Sequence, residues 1–267
     1  MSEAKVLSSA ERRAKYSVPA VEKALDVLEY LADQAVPVNQ AQIARSLGRQ
    51  PGEIFRMLTC LEIRGYLRRD ALSGGYALTL KLFELSRTHS PYQALLAAAV
   101  PWMRRLAEQV GETCHLSVLH QDQVLVLAQE ESPRPFRLSV QPGSRHSLLH
   151  TTSGRILLAQ LPEAERLDLL ERLPAWQEVA GKEEFLKRLA RIAARGHERA
   201  EGERFVGGLD LGVPVGAPGS SVGAALIIAT LDQRQDRPDI DAMLPRLHDT
   251  ARSIATEAGL SGTRSHR

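Results

Sequence analysis

The sequence predicts a mixed α/β (α+β) chain, in which a small helical part ending in a hairpin precedes a larger part with both strands and helices. Apolar residues recur at helical spacing in three short stretches before residue 65. Turn-forming residues then separate short runs of β-forming residues. The 267 residues, 43% of them hydrophobic and 25% charged, suffice for two modest globular domains.

The first two helices are predicted from their start signals and apolar spacing. Proline is favoured at the first helical position, so Pro19 indicates where the first helix begins. Its predicted apolar face consists of Val21, Ala24, Leu25, Leu28, Leu31 and Ala32. Asn39 is a good N-cap for a second helix that ends at Gly48. The inner face of that helix carries Ile43, Ala44 and Leu47.

The third helix and the hairpin complete the small part. Pro51 opens this helix, Gly65 ends it, and its inner face carries Ile54, Met57, Leu58 and Leu61. Two apolar stretches, 66–67 and 76–78, flank the turn-forming run 70–75. Two short helices joined by a tight turn and followed by a hairpin describe a winged helix-turn-helix. We therefore expect this fold over residues 17–79, after a disordered N-terminus over residues 1–16.

Side chains that this core does not use would face double-stranded DNA. They are Gln50, Gly52, Glu53, Phe55, Arg56 and Thr59 on the third helix, with Arg68 and Arg69 at the hairpin. An arginine can grip guanine or a phosphate, a glutamate can accept from cytosine, and a phenylalanine can touch a thymine methyl. Gln50 and Thr59 could equally be ordinary surface. The first 90 residues hold 13 Lys and Arg against 10 Asp and Glu, which agrees with a DNA partner but can arise by chance.

The larger part is predicted to contain an antiparallel sheet. A helical pattern runs from residue 80 to 110 with a break near Ser90, so we expect a connector over 80–95, a domain over 96–260 and a tail over 261–267. Strands are expected at 114–119, 124–128, 136–140, 209–215 and 222–230. Helices are expected at 152–161, 162–173 and 182–195, and a long one from Pro238.

Several runs resemble the IclR family of bacterial transcriptional regulators. They are the run 18–25 with Val27 and Leu28, the run 43–48, the run 56–67, and the hairpin end 76–78 with 80–82. The similarity covers about residues 17–258 and departs from the family at Gly52 and Glu53, where small hydroxyl residues are usual. It implies a sequence-specific DNA-binding regulator with a GAF-like effector domain. It also implies homodimers through the N-terminal domains, and often homotetramers through the effector domains.

The same resemblance implies where a small-molecule effector binds. The segments 148–159, 207–215 and 222–230 carry it, with the candidates Leu148, His150, Thr151, Thr152, Gly154, Arg155, Asp210, Ile227 and Ala229. A helix N-terminus near residues 151–152 could seat a carboxylate, although either threonine could be a plain N-cap. His146 could also line the site. Asp210 replaces the family's usual cysteine, and Ile227 and Ala229 replace frequent serines. The expected effector is therefore larger and more apolar than glyoxylate or pyruvate, such as a hydroxylated or aromatic catabolite.

The sequence also contains features of other functional classes. Residues 219–223 match the G-x-S-x-G motif of serine hydrolases, with Ser221 as nucleophile, but a strand rather than a helix is predicted after them. A metal site at Cys114, His115 and His120 is disfavoured, because residues 115 and 120 of a strand face opposite sides. We expect no enzyme, metal or cofactor. A second domain that only mediates assembly or protein contacts remains open.

The cellular location is predicted from what the sequence lacks. No stretch approaches the roughly 18 apolar residues that a membrane span needs. The first 16 residues are polar and charged, unlike a secretory signal. The two cysteines, Cys60 and Cys114, do not suggest a disulfide framework. We therefore expect a cytoplasmic protein with no membrane partner.

Overall fold

The computed structural model describes residues 16–89, 91–203, 206–218, 222–231 and 239–260. The chain divides into two compact units, Met1–His89 and Ser90–Arg267. The expected disorder of residues 1–16 falls almost wholly outside the described residues, as does the expected tail 261–267.

The first unit has the predicted order of helix, helix, helix and hairpin, which confirms the winged helix-turn-helix. Its elements are α1 (Pro19–Ala32), α2 (Gln40–Ser46), α3 (Pro51–Ile63), β1 (Leu67–Arg69), β2 (Tyr76–Leu78) and α4 (Lys81–His89). The predicted N-cap of α2 is confirmed, since the Asn39 side chain accepts a hydrogen bond from the Gln42 N–H at 2.9 Å. Strands β1 and β2 pair antiparallel, and Val38 adds a short bridge to Tyr76.

The core of this unit joins all three of the first helices to the hairpin. Its fully buried side chains include Val27 on α1, Ile43 on α2 and Ile54 on α3. The prediction that Val21 and Leu25 face inward is wrong, because 53% of Val21 and 49% of Leu25 is exposed. Helix α1 has two adjacent apolar stripes, and only the one that contains Val27 packs on the core.

The second unit is built around a six-stranded antiparallel sheet in the order β5-β4-β3-β8-β7-β6. Its strands are β3 (Thr113–His120), β4 (Gln123–Glu130), β5 (Arg145–His146), β6 (Glu198–Glu201), β7 (Gly208–Val215) and β8 (Ala224–Leu231). Its helices are α5 (Pro91–Val110), α6 (Thr152–Gln160), α7 (Glu163–Arg172), α8 (Pro174–Gln177), α9 (Lys182–Arg195) and α10 (Ile240–Glu257). The predicted antiparallel sheet is confirmed.

Helices cover both faces of this sheet. One face packs on α5 and α10, and the other packs on α6 and the helices after it. The central strand β8 is therefore buried on both sides, which explains its nearly continuous apolar sequence. Side chains alternate along β7, so that Leu209 and Leu211 face α5 and α10 while Asp210 faces the opposite side.

The prediction of a strand at residues 136–140 is wrong. The segment is irregular, and Phe136 is 80% exposed. Side chains of the sheet, rather than a neighbouring strand, form hydrogen bonds with two of its backbone groups. The Leu138 carbonyl accepts a hydrogen bond from Thr113 Oγ1 at 2.7 Å, and the Val140 N–H donates to the Gln129 side chain.

Neither a membrane-spanning helix nor a metal-binding cluster is present in the described ranges. No helix there has the length and apolar character required to cross a membrane. Likewise, no group of three or more His, Cys, Asp or Glu side chains there is arranged to hold a metal ion. Cys60 and Cys114 are both free thiols. Burial raises the pKa of the Cys114 thiol to about 12, so this thiol stays protonated.

Candidate functional site

Helix α3 presents a polar and aromatic surface at its N-terminal end. Ile54, Leu58 and Leu61 fix the rotation of the helix by entering the core. The residues predicted to face DNA then lie on the opposite side: Gln50, Gly52, Glu53, Phe55 and Arg56 are exposed, and Thr59 is half-buried. Phe55 leaves 51% of its surface open, which is unusual for a side chain of its size.

The two charged side chains of this surface differ in how they are held. Glu53 forms an ion pair with Lys23 of α1, with Nζ and Oε1 3.2 Å apart. Arg56 has no hydrogen-bond or ion-pair partner among the described residues. Arg56 is therefore available to an external partner, whereas Glu53 also links α3 to α1.

The two arginines of the hairpin β1–β2 also differ in their intramolecular contacts. Arg68 is exposed. Arg69 donates from Nε to the Gly74 carbonyl at 3.1 Å and lies over the Tyr76 ring, 5.6 Å from its centre. The turn between the strands is closed by Asp70, which accepts from the Ser73 N–H at 2.8 Å and from the Ser73 hydroxyl at 2.7 Å. The hydrogen bonds from Ser73 lower the pKa of the Asp70 carboxyl below its ordinary value.

The second unit contains a cavity of about 370 Å³ between the sheet, the start of α6 and the irregular segment before β5. This volume lies within the range of small-molecule sites. Its wall combines apolar groups with hydroxyl, imidazole, amide and carboxylate groups. The lining residues are His115, Ser117, Val124, Val126, Leu138, Ser139, Val140, Gln141, Ser144, His146, Thr151, Thr152, Ser153, Asp210 and Ala229.

The N-terminus of α6 forms one polar wall of the cavity. Thr151 is its N-cap and accepts from the Gly154 N–H at 3.0 Å, so this residue both caps the helix and lines the cavity. Thr152 Oγ1 donates to Asp210 Oδ2 at 3.2 Å. Asp210 is opposite Ala229 in the register of β7 and β8. The structure thus brings together Thr151, Thr152, Asp210 and Ala229, and the predicted His146 lines the same cavity.

The polar side chains of β3 and β5 form the facing wall. His115 Nε2 and Ser153 Oγ are 3.3 Å apart, and His146 Nε2 and Ser144 Oγ are 2.9 Å apart. Ser117 is completely buried, and its hydroxyl has no hydrogen-bond partner among the described residues. A buried hydroxyl without a partner is costly in a folded protein, so this group is suited to a bound polar atom.

Five predicted effector residues do not line the cavity. Leu148 and Ile227 pack in the core between the sheet and α6, and His150 is exposed. Gly154 supports the helix, since a Cβ at this position would lie 2.3 Å from the Leu148 carbonyl oxygen. Arg155 is buried behind the wall, with 3% of its side chain exposed.

A buried ionic cluster surrounds Arg155. Its Nε lies 3.2 Å from Glu198, which is fully buried, and its Nη2 lies 2.7 Å from Glu203. Arg188 and Arg195 of α9 also contact Glu198, at 2.7 and 2.6 Å. Partial burial tends to raise the pKa of Glu203, but hydrogen bonding to Arg188 and the charge of Arg155 outweigh it and lower that pKa.

This cluster is linked to the cavity wall by the side chain of Thr152. Arg155 Nη2 is 3.5 Å from Thr152 Oγ1, which in turn donates to Asp210. Charges behind the wall and the carboxylate in the wall are thus linked by one threonine hydroxyl. Because the cluster joins α6, α9 and β6, it also ties the start of α6 to the edge of the sheet.

Several lining residues were missed at the sequence level. His115 and Ser117 alternate along β3 with Cys114, Leu116 and Val118, which face the core. That alternation of polar and apolar residues was a usable signal for a strand with one polar, cavity-facing side. The irregular residues 138–141 gave no such signal, because their position depends on side-chain contacts with β3 and β4.

Comparisons with known proteins match both units to models of the same protein family. Residues 20–71 match the family model described as the IclR helix-turn-helix domain. Residues 91–256 match the model described as the bacterial transcriptional regulator IclR C-terminal domain. A probable transcriptional regulator, SauR of Cupriavidus necator, is 32% identical over 60% of this chain and 63% of its own length. The glycerol operon regulatory protein of Streptomyces coelicolor is 28% identical over 91% of this chain and 97% of its own.

A solved structure has a similar fold over nearly the whole length of this chain. It is an IclR homologue from Microbacterium hydrocarbonoxydans complexed with 4-hydroxybenzoate, with a TM-score of 0.75 and 23% identity. The match covers 91% of this chain and 100% of that one. At this identity the likeness supports the fold.

Proposed function

This chain belongs to the IclR family of bacterial transcriptional regulators, and from that premise we propose that a small organic effector in the cavity controls its binding to operator DNA. The effector would bind one arrangement of the protein better than the other, since a ligand with equal affinity for both shifts nothing. The observation that carries the proposal is the cavity itself, whose wall contains a fully buried hydroxyl, that of Ser117, without a partner among the described residues.

The size and lining of the cavity favour an effector with an apolar body. Val124, Val126, Leu138 and Val140 supply apolar contacts, and the volume exceeds what a two- or three-carbon acid would fill. An aromatic catabolite is the class that we favour. The complex of the Microbacterium hydrocarbonoxydans homologue with 4-hydroxybenzoate supports this choice by showing an aromatic compound bound to a protein of this fold.

For DNA binding we propose that α3 enters the major groove and that the β1–β2 hairpin contacts the backbone or minor groove. Arg56 would read a guanine or grip a phosphate, with Gln50, Phe55 and Thr59 near base edges and Gly52 allowing close approach. Arg68 would contact a phosphate. Glu53 and Arg69 have intramolecular partners, so we assign them mainly to holding α3 and the hairpin in position.

A mobility shift with DNA from upstream of the protein's own gene tests the DNA proposal. We expect specific binding by the wild type and a loss of about tenfold or more in Arg56→Ala, because one bidentate arginine contributes roughly 1–3 kcal/mol. Arg172→Ala removes an exposed arginine of the second unit and serves as the control. Equal loss in both variants, or no specific complex at low salt, would contradict the proposal.

We propose that the working species is a homodimer, with homotetramers formed through the second units. A single winged helix offers too small an interface for useful specificity, and two half-sites supply the rest. Exposed apolar residues support the dimer: Val21 and Leu25 on α1, and Leu82, Phe83 and Leu85 on α4. Several large apolar side chains left exposed on two helices are consistent with a protein–protein contact.

We also propose that the protein is cytoplasmic and not an enzyme. Ser221 lies outside the described residues, but strand β8 begins directly after Gly223, whereas the hydrolase motif requires a helix there. The remaining alternative is a second domain that serves assembly alone. Ligand-dependent thermal stability separates the two: a sensor's melting temperature rises with effector concentration, and an assembly domain's does not.

A further inference from the structure

The carboxylate of Asp210 lies beside the electropositive N-terminus of α6. The first helical N–H groups, those of Thr152 and Ser153, have no carbonyl partner within the helix, so this end attracts an anion. Thr152 Oγ1 donates to Asp210 Oδ2 at 3.2 Å, which fixes the carboxylate at this end. A ligand carboxylate in the cavity would compete with a carboxylate that belongs to the protein.

The charges behind the wall balance only when Asp210 is counted. Arg155, Arg188 and Arg195 carry three positive charges, and Glu198 and Glu203 carry two negative ones. Asp210, linked to Arg155 through Thr152, supplies the third negative charge. No lysine or arginine lines the cavity within the part of the chain that the structure describes. An added anion would therefore find no permanently charged cation in the cavity wall, and a buried unpaired charge is costly.

The remaining polar groups suit an uncharged ligand. Ser117 is completely buried and its hydroxyl, which lines the cavity, has no partner among the described residues. A hydroxyl can donate to or accept from a neutral polar atom. Ligand hydroxyls match this requirement and also offer a donor to the carboxylate of Asp210. The apolar side of the lining, which includes Val124 and Val126, accommodates a hydrocarbon or aromatic body.

We propose that the cavity selects an uncharged, hydroxyl-bearing effector with an apolar or aromatic body over the corresponding carboxylate, and that Asp210 determines this selection. Asp210 accepts a hydrogen bond from the ligand hydroxyl and repels a ligand carboxylate. This inference rests on the proposed function, because it names the chemical class of the effector that the sensor recognises.

Matched ligand pairs test the selection with the full-length protein. The probes are 4-hydroxybenzyl alcohol against 4-hydroxybenzoate and benzyl alcohol against benzoate. Their dissociation constants are measured by calorimetry. We expect the wild type to bind the alcohol of at least one pair about tenfold or more tightly than its acid, the scale of a hydrogen bond to a charged group.

Two variants attribute the preference to Asp210. Asp210→Asn keeps the size of the side chain and removes its charge, so we expect the alcohol-to-acid ratio to fall to about one or to invert. Asp122→Asn removes an exposed carboxylate from the turn between β3 and β4, and should leave the ratio unchanged. Far-ultraviolet circular dichroism confirms that each variant is folded.

Each contrary result has a separate meaning. Tighter binding of the acids, or a preference that Asp210→Asn does not alter, overturns the inference while the sensor function stands. If no alcohol binds, the inference is also overturned. If none of the probes binds and none changes operator binding, the result counts against the sensor function as well.

Discussion

Gly154 shows how closely α6 passes the preceding backbone. A Cβ built at this position lies 2.3 Å from the Leu148 carbonyl oxygen and 2.5 Å from Leu148 Cα, and backbone atoms cannot move aside cheaply. We expect Gly154→Ala to reduce the free energy of unfolding of the second unit by about 2–3 kcal/mol, as for other overpacked sites. Chemical denaturation followed by circular dichroism measures the change.

Gly223→Ala is the matched control for this substitution. Its added Cβ would meet the Gln160 Oε1 atom at 3.6 Å, an ordinary contact. The unfolding free energy should change by less than about 0.5 kcal/mol. Equal effects of the two alanines would show that the close approach of α6 to residue 148 is not the constraint at position 154.

Glu198 lies at the centre of the buried ionic cluster, because it contacts Arg155, Arg188 and Arg195. Replacing it with glutamine leaves Arg155 buried with reduced compensation. We expect Glu198→Gln to destabilise the second unit by about 3–5 kcal/mol, the usual result of removing one partner of a buried pair. Glu184→Gln, which breaks an exposed pair with Arg191, should leave the melting temperature nearly unchanged. Thermal unfolding of both variants compares them.

The site could be predicted from sequence where a local motif positions a residue. Thr151 and Thr152 start a helix with a recognisable cap, and both line the cavity. Leu148 and Ile227 belong to the right segments, yet they point into the core, because orientation depends on how α6 packs on the sheet. Sequence reasoning had no access to that packing.

At the scale of elements, an ionised Asp70 stabilises the turn of the hairpin β1–β2. Hydrogen bonds from Ser73 lower its pKa below the ordinary value of 3.8, so folding favours the charged form. The stabilisation is present above that ordinary pKa and is lost as the pH falls through the lower, folded value.

Removing the Ser73 hydroxyl tests this linkage. In Ser73→Ala the backbone N–H of residue 73 still donates to Asp70, but the hydroxyl does not. We expect the pKa of Asp70 to rise part of the way toward its ordinary value. Carboxyl-carbon NMR titration of both proteins measures it. An unchanged midpoint would mean that the hydroxyl does not contribute.

Elements with a strong local pattern were predicted well, and those that depend on distant partners were not. Helices α2, α3 and α9 follow from caps, glycines and apolar spacing, and α9 has its predicted bounds. Strand β6 was missed because its sequence, Glu198–Glu201, is charged and alternates with only one alanine inward. Pairing with β7 and the arginines around Glu198 stabilise it there, and neither is a local property.

At the scale of the whole molecule, the exposed apolar residues of the first unit predict how copies associate. Leu25 is 49% exposed and Phe83 is 56% exposed. We expect Leu25→Glu and Phe83→Glu each to raise the dimer dissociation constant by about 30-fold or more, the effect of losing a central contact. Analytical ultracentrifugation measures it, and operator affinity should weaken in parallel.

Leu72→Glu provides the comparison for the dimer prediction. Leu72 is 99% exposed at the tip of the hairpin, away from α1 and α4 in sequence. Its substitution should leave the sedimentation behaviour of the protein unchanged. A monomeric wild type at micromolar concentration, or dissociation caused equally by all three glutamates, would contradict a dimer built on α1 and α4.

The shared charge balance between Asp210 and the arginine cluster bears on how such regulators diverge after gene duplication. One base change converts an aspartate codon to asparagine. At position 210 it would leave Arg155, Arg188 and Arg195 with one positive charge in excess beside the cavity. If Asp210 selects an uncharged ligand as proposed, a duplicated copy with asparagine at position 210 would begin to respond to acids. Because the charge at position 210 sets the balance of the three arginines, we expect residue 210 and these arginines to covary among descendants.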